Sequence, residues 1–271
     1  MTTAHSSDGL GTDGWTAAVR QQLGLGRLLP LGGPRDGAWL SERAAADELR
    51  LAAAEVTGAV LGRLRLSLAD PEGAGRPAVP PPPSALPPGP LRIDGEFAAG
   101  PAEPLPAVAE RLREVLFACA TERLGLRVAE VDLRVTALLG PSGEAAEGPP
   151  AGIAAGAGPD GGRPAAVRAA APEGEPESLA SAVPGVAYPT RTLGGAAAAT
   201  GGHVRVELAT AAGHRPLEVA RAVRARLAAA LPGAPSVAVL ITAVGRKDET
   251  AARRDPARAR GQGRRSARTD P

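Results

Sequence analysis

The residues of this 271-residue chain that could do chemistry are few and scattered. There are three histidines, His5, His203 and His214, and one cysteine, Cys119. A Ser-His-Asp relay or a zinc site needs several such groups converging on one point. His5 lies in a polar, glycine-rich start, while His203 and His214 flank one strand and the loop after it. Surface histidines are the expected reading. Cys119 follows Leu112, Val115 and Leu116 at helical spacing, which puts it on the apolar side of a helix as a buried structural thiol. Being alone, it leaves no intramolecular disulfide framework.

Three further patterns imitate chemistry. Glu110 and Glu114 stand one helical turn apart, as a general acid and base might, but Arg111 and Arg113 are interleaved and mark a solvated face. Glu130 and Asp132 alternate with Val131 and Leu133, the outer side of a strand. Gly156-Ala-Gly-Pro-Asp-Gly161 fits the glycine pattern of a dinucleotide-binding turn, yet no strand precedes it and Pro159 interrupts it. Lys247 is the only lysine, so a phosphate loop ending in Gly-Lys and Ser or Thr is missing. The sequence predicts a non-enzyme, with no catalytic residues, no metal and no cofactor.

Charge offers a second route to function. The formal net charge is only +2, and 30 of the 31 basic residues are arginine, a bias that GC-rich, actinobacterial genomes produce. From Arg246 onward, however, nine basic residues face four acidic ones, a local excess of five. The candidate anion- or partner-binding residues are therefore His214, Arg215, Arg221 and Arg224 around a long helix, with Arg253, Arg254, Arg264 and Arg265 in the tail. Such a set would hold nucleic acid or acidic lipid without sequence selectivity. Stacking on bases is not expected, because the chain has two Phe, two Trp and one Tyr.

The elements that must position these residues follow from periodicity. Gly37-Ala-Trp-Leu40 reads as a strand, and Ser41 as the N-cap of a helix reaching about Glu55, closed near Gly58. Leu64, Leu66 and Leu68 alternate with polar residues in a second strand. Leu91 to Phe97 is a strand, Pro106 to about Arg123 a helix, and Val128 to Leu138 a strand. The later chain repeats the pattern: a short helix from Glu177 to Ala182, strands Val186 to Leu193 and His203 to Leu208, a helix through Val219, Val223 and Leu227, and a strand Val237 to Val244. An offset of 111 lays Val219, Val223 and Leu227 on Val108, Leu112 and Leu116.

The predicted class is α+β, with two βαββαβ-like modules, each a small antiparallel or mixed sheet carrying two helices. The first spans 37–139 with a proline-rich insertion at 70–90, expected to run as an extended polyproline loop. The second spans 177–245, with Val167 as a residual first strand. Residues 1–14 are expected to be disordered, 15–36 to form an arm with a short helix at Trp15 to Leu23, lying on the first module, 140–176 to be a linker and 246–271 a disordered basic tail.

With the modules laid out, the chain resembles the alkaline-shock, envelope stress response family. The resemblance rests on Gly37-Ala-Trp-Leu-Ser-Glu42, Glu55-Val-Thr-Gly58, Val183-Pro-Gly-Val186, His203-Val-Arg-Val206, Leu217-Glu-Val-Ala220 and Val237 to Val244. It covers Gly37 to Leu138 and Glu177 to Val244, and departs from the family pattern at Thr57, Ala59 and the proline insertion. The resemblance implies a non-enzymatic, cytoplasmic structural or interaction protein, recruited to its place by protein partners and linked to envelope stress. No transmembrane segment is expected, and the sequence fixes neither the partner nor the oligomeric state.

Overall fold

The structure is a computed structural model, and it describes residues 24–140, 167, 169–193, 202–231, 233 and 236–245. The expected tail, the helix at Trp15 to Leu23, the glycine pattern at 156–161 and most of the linker lie outside the described residues.

The architecture is α+β, built on two sheets. In chain order the elements are β1 (Leu28–Pro30), β2 (Ala38–Ser41), α1 (Glu42–Ala53), β3 (Ala59–Leu68), β4 (Leu91–Ala99), α2 (Leu105–Ala118), a π-helical turn (Cys119–Leu124) and β5 (Val128–Leu138). There follow α3 (Gly174–Ser181), β6 (Val186–Pro189), β7 (His203–Thr210), α4 (Pro216–Ala230) and β8 (Ser236–Val244). One sheet has the order β3-β4-β5, the other β1-β2-β8-β7-β6. Each is mixed, with an antiparallel pair followed by a parallel pair whose crossover is a helix.

The duplication is visible in the backbone register. The pair Ile93↔Val131 corresponds to Val204↔Val237, and Phe97↔Val135 to Leu208↔Ile241. Immediately after these, both parallel ladders slip by one residue at the same place. The turns before β3 and β6 also agree. Gly58 and Gly185 both sit at positive φ, where a side chain would be strained, and their carbonyls accept from Gly100 and Ala211 respectively.

Between the repeats one strand is exchanged. The strand at Ala38–Ser41, expected to open the first module, instead lies parallel to β8, in the register Ala38↔Val239 to Leu40↔Ile241. Its own residues give the reason. Ala38, Trp39 and Leu40 are all buried, so β2 needs cover on both faces. The outer face of β3-β4-β5 carries Arg63, Arg65, Asp94 and Asp132 and would leave Trp39 in water, whereas β8 presents Ala238 and Leu240 on its outer face. Val167, expected as a residual first strand of the second module, belongs to no strand.

Two neighbouring expectations change with it. The arm at 15–36 was expected on the first module, but its described part forms β1, antiparallel to β2, in the five-stranded sheet. The proline-rich stretch is not a free polyproline loop. It straps the outer face of that sheet: Val79 packs with Leu28, Trp39, Ala238 and Leu240, and Leu86 O accepts from the Trp39 indole at 3.2 Å. Finally, β6 stops at Pro189 rather than Leu193: Thr190 N–H still donates to Glu207 O, but Thr192 and Leu193 N–H both turn to the buried Glu207 carboxylate.

The helices cap as the sequence predicts at α1, where the Ser41 hydroxyl accepts from Ala44 N–H. Inner faces of both sheets and of α1, α2 and α4 form one continuous core, so the halves are packed together. The halves approach closely at Gly125 (φ +88°), where an added Cβ would lie 2.4 Å from the Leu217 side chain at the start of α4.

Candidate functional site

The residues singled out in the sequence are mostly drawn into the structure itself. Arg215 donates to Thr121 O at 2.7 Å and pairs with Glu218. Arg221 pairs with Asp36 at 2.8 Å, and Arg224 donates to Val237 O at 2.8 Å and Arg35 O at 2.7 Å. These arginines tie α4 to the first half and to the loop leading into β2. Burial alone would push the Asp36 carboxyl up. The hydrogen bonds from Arg221 and from Gly33 N–H, with the charges of Arg221 and Arg224, outweigh it and hold Asp36 below its ordinary value. Arg253, Arg254, Arg264 and Arg265 lie outside the described residues.

His203 and His214 do not meet, since His203 begins β7 and His214 lies beyond its other end. His203 shares a hydrogen bond of 2.8 Å with Ser236, and burial lowers its pKa. His214 and Arg215 line an open groove of about 850 Å³ at the junction of the halves, with Glu48, Glu55, Glu122 and Arg123. There Arg123 pairs with Glu48 at 3.4 Å. Cys119 lies below, its thiol donating to Glu48 O at 3.7 Å, and burial pushes its pKa up to about 11. A thiol so placed stays protonated and unreactive. Glu110 is paired with Arg113, and Glu130 with Arg92, as solvated faces.

A different feature stands out once the sheet edges are compared. An exposed edge presents unpaired N–H and C=O groups, which other chains can pair with unless something blocks them. At the outer edge of β3, Leu66 N–H donates to Glu42 and Leu66 O accepts from Arg27, and the strand carries a bulge between Leu61 and Leu64. At β1, Leu28 exchanges bonds with the proline-rich strap through Ser84 O and Leu86 N. At β6, Ala170 N–H donates to Pro189 O, and the strand is four residues long.

The outer edge of β5 has no covering segment and no side chain on its N–H groups among the described residues. β5 runs for 11 residues, regular from Glu130 to Val135, and among the described residues no backbone group bonds to its outer side along that stretch. The group that reaches it is Arg113 of α2, whose Nε donates to Val131 O at 3.2 Å. Arg113 is the repeat equivalent of Arg224, and Val131 of Val237, so the same clamp exists in both halves. In the second half its guanidinium also holds Arg35 O on the segment entering β2; in the first it pairs with Glu110.

Neither Val131, Leu133 and Val135 nor Arg113 stood out in the sequence. Period-two alternation tells which face a side chain takes but not whether the strand has a neighbour. One signal was present, since Arg113 and Arg224 are separated by the same 111 residues as the core positions of their helices.

Among the described residues no helix is long and apolar enough to cross a membrane. No family model, curated protein or solved structure matches the chain.

Proposed function

We propose that the chain is a non-catalytic interaction protein that binds protein partners through the open edge of β5. The observation that carries this reading is the contrast among edges: β1, β3 and β6 are blocked by side chains, a strap or a short neighbouring segment, and β5 is left open beside a ready-made arginine clamp. Strand addition to such an edge supplies affinity through backbone bonds, and flanking side chains supply selectivity. A cytoplasmic role linked to envelope stress through protein partners is the setting that the resemblance to the alkaline-shock family implies.

The reading is tested with the full chain carrying a photoreactive residue at Thr136, beside the same chain with Val135→Pro and a chain ending at 245. Proline at an outward-facing edge position removes no ladder bond, so the fold is kept while strand addition is blocked. Protein crosslinks are expected to survive loss of the tail and to disappear with Val135→Pro. Crosslinks that persist in Val135→Pro, with nucleic-acid or acidic-lipid binding that disappears with the tail, would instead favour the basic tail as the binding element.

A further inference from the structure

The strand that fits the open edge of β5 best is β5 itself, and we infer that two copies of the chain pair antiparallel along it, about a two-fold axis through Leu133. This inference rests on the edge-binding reading and names the occupant.

The backbone sets the possible registers. In a strand, the N–H and C=O of one residue point the same way, and successive residues alternate. Val131 O is reached by Arg113 from outside the sheet. Val239, the equivalent of Leu133 in the other half, donates its N–H to Gly37 O, just before the added strand β2, at 3.0 Å. Val131, Leu133 and Val135 therefore turn their backbone groups toward the open edge. Leu133 is also the middle residue of Val128–Leu138. A two-fold axis there sets Leu133 against Leu133 of the second copy and Val131 against Val135, outward residues facing outward residues. About six backbone hydrogen bonds result, two for each such pair. Val131 O has acceptor capacity for both Arg113 and the incoming N–H.

Side chains select this register over its neighbours. With the axis at Leu133, Asp132 of each copy lies opposite Arg134 of the other, and Glu130 opposite Thr136. A register shifted so that the axis passes through Asp132 sets two carboxylates against each other, and one with the axis through Arg134 sets two guanidinium groups together. Directly opposed like charges on neighbouring strands are destabilising. The apolar residues agree. Val135 and Leu138 are 38% and 54% exposed in the single chain, and Phe117, one helical turn beyond Arg113 on α2, is 44% exposed. The closed pairing turns two three-stranded sheets into one of six strands, and a two-fold contact of this kind terminates without propagating.

The experiment measures mass by sedimentation for the full chain, for D132R, for R134D and for a one-to-one mixture of the two variants. D132R opposes cations to cations at both cross-strand positions and R134D opposes anions to anions, while the mixture restores attraction at both. The wild type is expected to dimerise, each variant to dissociate about tenfold more readily, and the mixture to recover a heterodimer. Rescue in the mixture also shows that the variants fold. A monomeric wild type, a dimer indifferent to both substitutions, or variants that fail to rescue each other would overturn the inference. If the monomeric wild type still crosslinks other proteins through Thr136, the edge-binding reading stands alone; if it crosslinks nothing, both fall.

Discussion

The two halves of the molecule carry the same β-β-α-β unit and finish it differently. Beside β8 the unit is completed by β2, its outer face is covered by the strap around Val79, and Arg224 fastens the incoming loop. Beside β5 the equivalent position is open, the outer face carries charge, and Arg113 holds only its own strand and a neighbouring glutamate. The same backbone unit therefore serves as interior in one case and as surface in the other. The choice lies with residues outside the unit: two-faced apolar strands need cover, and β2 could find it only beside β8.

The comparison can be broken most forcefully at Trp39, which is 1% exposed. Trp39→Ala should cost about 3–5 kcal/mol in urea unfolding, whereas Val135→Ala on the open edge should stay within about 0.5 kcal/mol. Similar losses at the two sites would mean that the edges are not distinct. The arginine clamps give the next contrast. Arg224→Ala strands two carbonyls on the loop and strand it joins and should cost about 1–3 kcal/mol, against less than about 1 kcal/mol for Arg113→Ala, measured below the concentration at which chains associate.

Cys119 asks whether the halves open separately. With its pKa near 11, it should resist alkylation at pH 8 in the folded chain and react fully in urea. Labelling well below the urea midpoint would show that the first half opens without the second. The smallest effect concerns Asp36. Its folded pKa is depressed, so the stability it contributes is present above the ordinary carboxylate value of about 3.9 and is lost as pH falls through the lower folded value. Asp36→Asn should cost less than about 1 kcal/mol at pH 7, and the difference from wild type should vanish as the pH is taken below the folded value.

Much of this fold was legible in the sequence because alternation and helical spacing are local properties. The helix capped by Ser41, the turns at Gly58 and Gly185, and the full span Val128 to Leu138 all follow from neighbours a few residues away. What could not be read was which strand lies next to which. The pattern Ala38-Trp39-Leu40 shows a strand covered on both faces, but its partner Val239 lies in the other repeat. The candidate site failed for a related reason. Arg221 and Arg224 look available on a helical wheel, and two of their acceptors, Asp36 and the Arg35 carbonyl, reach them only through that exchange, beside the Val237 carbonyl of their own repeat.

The exchange also sets an order of events during synthesis. Ser41 Oγ donates to Thr242 O, a partner 201 positions later in the chain. At about 5–20 residues per second, roughly 10–40 s separate the two at the ribosome. Through that interval the first repeat can close its own three strands, but Trp39 has no β8 to lie beside and its strand is an adhesive end. A chain halted after β7 would carry that end permanently. The last of the described strands to be made is thus the one that quenches β2, one of the earliest.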